Sequence, residues 1–165
     1  MANAENNLES ALAKWLTGST RIVVAGIGNP IRSDDFVGVK IVQDLQGKVS
    51  EKVYLIECET VPESFMQEIV DFKPSHVILV DAAVLGLNTG EATLIFPEQI
   101  AEFPAVTTHM LPLRVFCDYI VEMTGAKIAL LLIEPENMDF GEHLTPTLNN
   151  ASKTIVEILL KLLGA

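Results

Sequence analysis

Between Asn6 and Thr17, Leu8, Leu12, Trp15 and Leu16 recur at helical spacing, and Gly18 breaks the pattern. The stretch predicts an amphipathic N-terminal helix lying on the body of the fold. A short β-branched run, Arg21 to Ala25, then leads through Gly26 into a segment that sets Val37, Ile41, Val42 and Leu45 on one helical face. The unit strand, loop, helix recurs: Val53 to Cys58 reads as a strand, and Thr60-Val61-Pro62-Glu63 offers a capping box for a helix with Phe65, Ile69 and Phe72 inward. His76 to Asp81 is a third strand and Ala92 to Phe96, which alternates weakly, a fourth. Next comes a helix with Leu113, Phe116, Cys117, Ile120 and Val121 at core spacing, ended by Gly125. Ala126 to Ile133 is a continuous apolar strand, and Thr145-Pro146 starts a last helix burying Leu148, Ala151, Ile155, Leu159 and Leu162.

Strands alternating with helices imply crossover units, and strands apolar along their whole length imply a sheet covered on both faces. The fold expected is α/β, a three-layer α/β/α sandwich with a mostly parallel, Rossmann-like sheet and room for one antiparallel edge strand. Ligands of such sheets bind beyond the strand C-termini.

A chain of 165 residues, 49% of them hydrophobic, is long enough for one buried core and short for two. Residues 1–165 are therefore expected to form a single domain, with 1–18 as an added N-terminal helix. The longest apolar runs, Val77 to Val80 and Ile128 to Ile133, fall far short of the roughly 20 residues that cross a bilayer. The start Met-Ala-Asn-Ala-Glu lacks the features of a secretory signal, so the expected location is cytoplasmic, without membrane insertion. Cys58 and Cys117 lie in apolar surroundings without Cys-x-x-Cys spacing and read as buried thiols. A net charge of -11 disfavours phosphate contact, so nucleic acid is not an expected partner. It suits solubility first, and a basic peptide or metal-bearing partner second.

The loop after the first strand runs Gly26-Ile27-Gly28-Asn29-Pro30-Ile31-Arg32-Ser33-Asp34-Asp35. A dinucleotide fingerprint would need glycine where Ile31 stands, and Pro30 removes an amide from any phosphate cradle. Glu57 or Glu59 at the second strand end supports a nucleotide, but Asp34-Asp35 would repel a pyrophosphate and attract a cation. A competing reading is that Ser33, Asp34 and Asp35 merely cap the following helix. Asp81 directly ends the apolar run Val77 to Val80, where an acid points into the ligand crevice unless it only caps a turn. His109 sits in a loop just before a helix. Two carboxylates and an imidazole from separate loops make a mixed set suited to a borderline divalent ion such as nickel or zinc, with positions left open. His76 reads as a satisfied residue at the core edge and His143 as an exposed one. There is no Gly-x-Ser-x-Gly elbow, no evident histidine partner for either cysteine and no His-Glu-x-x-His helix.

The segment Gly26-Ile-Gly-Asn-Pro-Ile-Arg-Ser-Asp-Asp-Phe-Val-Gly-Val39 resembles the G-x-G-N…D-[DE]-x-x-G start of the [NiFe]-hydrogenase maturation endopeptidases. Val-Pro-Glu-Ser64, Leu79-Val-Asp-Ala82, Gly90-Glu91 and Thr107-Thr-His-Met-Leu-Pro-Leu113 resemble later motifs of that family, in the same order. With Ile133-Glu-Pro-Glu136 and Leu144-Thr-Pro146, the likeness is greatest to the branch that matures hydrogenase 3 of formate hydrogenlyase, and it runs from about Arg21 onward. The resemblance implies a processing endopeptidase that removes the C-terminal extension of a hydrogenase large-subunit precursor after nickel insertion. It also implies that Asp35, Asp81 and His109 are the metal-binding residues. Nickel is expected to arrive with the precursor, with zinc or cadmium able to substitute. Asp34 is a reserve carboxylate, and Phe36 departs from the glycine often found after the acidic pair. No nucleophile is evident, so a nickel-checking escort that binds the precursor without cutting it is the alternative.

Overall fold

The computed structural model describes the backbone of residues 2–102 and 110–165 and the side chains of 5–100 and 113–165, so His109 lies outside the described residues. Five strands, β1 (Ile22–Ile27), β2 (Val53–Glu59), β3 (His76–Ala82), β4 (Ala92–Ile95) and β5 (Lys127–Ile133), form one sheet in the order β2-β1-β3-β5-β4. The pairs β1/β2, β1/β3 and β3/β5 are parallel, and the edge strand β4 runs antiparallel to β5. The expected α/β architecture is therefore present, down to the antiparallel edge.

Alternate residues of each central strand feed different layers, as the strand period of two requires. Val24, Ile78, Val80 and Leu131 join Leu12, Ile41, Ile155 and Leu159 under α1 (Ala2–Trp15), α2 (Val37–Leu45) and α5 (Pro146–Leu163). Val23, Ala25, Leu79 and Leu130 face the opposite way and join Ile69, Phe116 and Ile120 from α3 (Met66–Phe72) and α4 (Met110–Thr124). This is why the strands read as unbroken apolar runs. Among the described residues no helix is long and apolar enough to cross a membrane.

Several local expectations change. No capping box forms at Thr60: the chain enters a 3-10 turn over Pro62–Phe65 without a side-chain cap, although the inward face is as expected, with Ile69 fully buried and Phe65 and Phe72 half-buried against the core. Val121 is 45% exposed, because the core stripe of α4 stops at Leu113, Phe116, Cys117 and Ile120. Thr145 does cap α5, accepting the Leu148 N–H, with Pro146 in the first turn.

The parallel order places a switch point between β1 and β3: the chain leaves β1 toward β2 on one side and returns to β3 on the other. Helix α2 is wedged against the C-terminal ends of this pair. A Cβ on Gly38 would lie 2.1 Å from the Val80 carbonyl oxygen and 2.5 Å from that of Ile27. Only glycine permits this approach.

Candidate functional site

At the switch point three segments meet: the loop 28–36, the end of β3 and the loop 134–145. Gly28 starts the first loop, donating its N–H to the Glu59 carbonyl. A Cβ on Gly28 would sit 2.1 Å from the Asp35 carbonyl oxygen, so the loop folds back on itself there. The partial glycine motif thus serves strand–loop–helix packing. The acid expected to support a nucleotide, Glu57, instead accepts from the Gln43 side chain at 2.8 Å, and Glu59 is exposed.

Of the buried polar side chains among the described residues, Ser33, Asp34, Asp35, Asp81 and Glu134 belong to this rim, and His76 and Ser152 lie elsewhere. Burial of four acids at one end of a sheet demands compensation, and each finds a different one.

Asp34 is fully buried and acts as a latch. Its carboxylate accepts the backbone N–H groups of Glu136 (3.0 Å), Asn137 (2.9 Å) and Thr145 (2.8 Å), and the Thr145 hydroxyl. The backbone adds Asp34 N–H to the Asn137 carbonyl and Ser33 N–H to that of Gly141. Asp34 is therefore structural, and its place as reserve carboxylate falls away. Helix capping fails as well, since neither the 3-10 turn Ser33–Phe36 nor α2 has a side-chain cap. Glu134 is the acid that sequence reasoning passed over. It is 5% exposed, and its Oε1 accepts the N–H groups of Leu85 and Leu87, both at 2.8 Å, shaping the loop beyond β3. The signal was available: like Asp81, it sits at the C-terminal end of an apolar strand.

Asp35, 3% exposed, accepts the Asn29 N–H through Oδ2 at 3.0 Å. That bond uses one of the roughly four lone-pair directions of a carboxylate. Asp81 is fully buried, and its Oδ1 accepts the Ala82 N–H at 2.9 Å. Strand periodicity sends Asp81 to the same face as Val77 and Leu79, the face covered by α3 and α4. The turn carrying Asp35 packs on β3, and Gly26 pairs with Val80, the residue before Asp81. Both expected carboxylates thus lie buried at the C-terminal end of the β1/β3 pair. His109 falls outside the described residues; in sequence it directly precedes α4, which packs on the face Asp81 serves. Among the described residues no three His, Cys, Asp or Glu side chains form a metal-holding group.

Elsewhere, Cys58 and Cys117 are free and fully buried. Burial, reinforced by Glu68 and Glu63 around Cys58 and by Asp118 beside Cys117, pushes both thiols up to about 12. Such thiols are poor nucleophiles. His76 is satisfied at the core edge, its ring 2.9 Å from the Ser75 hydroxyl and 3.1 Å from the Trp15 carbonyl oxygen, and His143 is exposed.

A family model described as hydrogenase maturation protease, HycI, matches residues 39–162. The chain belongs to the hydrogenase maturation protease family. The match begins beyond Asp35 and includes Asp81 and His109. A putative hydrogenase maturation protease of Methanocaldococcus jannaschii is 29% identical over 166 residues, covering 94% of this chain and 98% of the relative. The hydrogenase 3 maturation protease of Escherichia coli is 29% identical over 137 residues, covering 83% and 87%. The crystal structure of a [NiFe] hydrogenase maturation protease, HycI, from Thermococcus kodakarensis superposes with a TM-score of 0.84 at 33% identity, covering 92% of this chain and 97% of that one. The resemblance read from the ordered motifs is thereby established, and with it the hydrolase class of this maturation protease. Its mostly parallel sheet is accordingly the fold of hydrogenase maturation proteases, and the nucleotide reading of the glycine loop is set aside.

Proposed function

We propose that this maturation protease removes the C-terminal extension of a [NiFe]-hydrogenase large-subunit precursor after nickel insertion, with Asp35, Asp81 and His109 reading the nickel that the precursor carries. The observation that supports the proposal is the pair of buried carboxylates, Asp35 and Asp81, at the C-terminal end of the β1/β3 switch point in a member of this family. Nickel is here part of the substrate. Two carboxylate oxygens and one imidazole nitrogen fit a borderline divalent ion, zinc or cadmium in its place included. A set of this size holds a free ion weakly, yet can complete the coordination of an ion already gripped by precursor thiolates. Metal insertion then licenses cleavage, because an empty precursor lacks the ion that bridges it to the crevice. We further propose residues 1–165 as one protease domain, with 1–18 as an added helix, acting in the cytoplasm.

The test is the intact mass of nickel-loaded and nickel-free precursor after incubation with the protein. Loss of a C-terminal peptide from the loaded form alone is expected. Asp35→Asn and Asp81→Asn, which keep the side-chain shape and an oxygen acceptor, and His109→Ala should each stop release without unfolding the protein. Normal processing by all three variants refutes the site. Metal-dependent binding by the wild type without any new C-terminus would instead identify a nickel-checking escort.

A further inference from the structure

The two loops joined by the Asp34 latch also present apolar side chains that the fold does not use. Phe140 is 85% exposed and Ile31 45% exposed. Arg32 and Gly141 form a parallel bridge, which makes Ile31 and Phe140 register neighbours immediately before it. Backbone bonds fasten the bridge in both directions: Gly141 N–H to the Ile31 carbonyl and Ser33 N–H to the Gly141 carbonyl, each 2.9 Å. On the other side of Phe140, the Asp139 carbonyl accepts the Ser33 hydroxyl at 2.9 Å, while Asp139 N–H is held by the Asn137 side chain. Ser33 adopts φ +49° to make this stitch, a conformation that costs a non-glycine residue of the order of 1 kcal/mol. An exposed phenylalanine on backbone held at both neighbours is preorganised for contact, with little ordering entropy left to lose.

We infer that Phe140, seconded by Ile31, is an apolar anchor that docks the hydrogenase large-subunit precursor beside the crevice. The inference rests on the processing function proposed above. Two observations select the occupant. Ile31 and Asp35 lie on one loop, so whatever covers the anchor is brought next to the candidate metal-reading carboxylates. The loop around Phe140 is acidic, with Glu136, Asp139 and Glu142 all exposed on a chain of net charge -11. The complementary surface is an apolar socket edged by lysine or arginine, and such a pairing weakens as salt screens it. Phe140 is thereby a specificity-determining contact, remote from the bond that is cut.

The experiment titrates labelled, nickel-loaded large-subunit precursor with the full-length wild type and with Phe140→Ser, Phe140→Leu, Ile31→Ser and Val115→Ser. Val115 is 68% exposed on α4 and serves as the control. Binding is read by anisotropy and tail release by mass. Phe140→Ser is expected to raise Kd about tenfold or more, the effect of losing one buried aromatic side chain at an interface. Phe140→Leu should recover part of the loss, Ile31→Ser should raise Kd severalfold, and Val115→Ser should leave it unchanged. At saturating precursor, cleavage by Phe140→Ser should proceed at the wild-type kcat. A Phe140→Ser Kd within twofold of wild type overturns the anchor and leaves the protease reading intact. Wild-type binding without tail release, still weakened by Phe140→Ser, keeps the anchor and overturns the protease reading. Dissolution of a homodimer by Phe140→Ser with precursor affinity unchanged assigns the patch to a second copy of this chain and overturns the proposal.

Discussion

Replacing Asp34 with alanine removes one carboxylate and orphans donors in a second loop more than a hundred residues away in sequence. Three backbone N–H groups, those of Glu136, Asn137 and Thr145, lose their acceptor, and the Thr145 hydroxyl must turn elsewhere. Hydrogen bonds to a charged group contribute about 1.5–3 kcal/mol each, and a buried donor left unsatisfied costs about 1–3 kcal/mol. These terms are not additive, since the loop 134–145 can relax outward and hydrate some of the amides. A loss of about 3–5 kcal/mol is expected, among the larger single-residue effects. At this chain length it lowers Tm by roughly 2–4 °C per kcal/mol, on the order of 10 °C in all. Asp34→Asn keeps one acceptor oxygen but turns an amide NH2 toward backbone donors, so it should fall between alanine and wild type. Urea and thermal unfolding followed by circular dichroism measure the free-energy loss and the Tm of both variants, and tail release should decline in the same order because the loop carrying Asp35 loses its tether. A Tm for Asp34→Ala within about 2 °C of wild type would refute the latch and return Asp34 to the candidates for chemistry.

Gly38→Ala places a methyl group 2.1 Å from the Val80 carbonyl oxygen, against backbone that cannot swing aside, so a loss of about 3 kcal/mol is expected in the same unfolding assay. His76 is buried, and burial is the main cause that lowers its pKa below the ordinary 6.5, with Lys127 adding to it and the Trp15 carbonyl opposing. The unfolded chain therefore takes up this proton before the folded one. Stability should be flat above about pH 6.5 and fall as pH drops through that value toward the lowered folded-state pKa, and His76→Gln should flatten the slope. With their pKa values pushed up to about 12, Cys58 and Cys117 should resist iodoacetamide in the native protein at pH 8 and react promptly in urea; fast native labelling of either would contradict its burial.

The order of elements was legible because hydrophobic period is a local property. Val37–Leu45 shows its helical face and residues 128–133 their continuous apolar run without reference to the rest of the chain. Parallel architecture followed from those runs, since only a sheet covered on both faces tolerates them. Asp35 and Asp81 were visible as carboxylates placed where strands end, and the ordered motifs gave the family. The capping reading of Asp34, the capping box at Thr60 and the burial of Val121 failed for a common reason. Each was judged from neighbours in sequence, whereas the partners that decide such positions come from elsewhere in the fold. Asp34 meets Glu136, Asn137 and Thr145 only after β5 and α5 are in place, and Glu134 meets Leu85 and Leu87 only across the sheet. Sequence alone therefore determined the layers, the family motifs and the acids available at the strand ends. Tertiary structure decided which acids hold loops together and which sit at the β1/β3 switch point, because the donors that saturate a buried carboxylate are brought to it by chain topology.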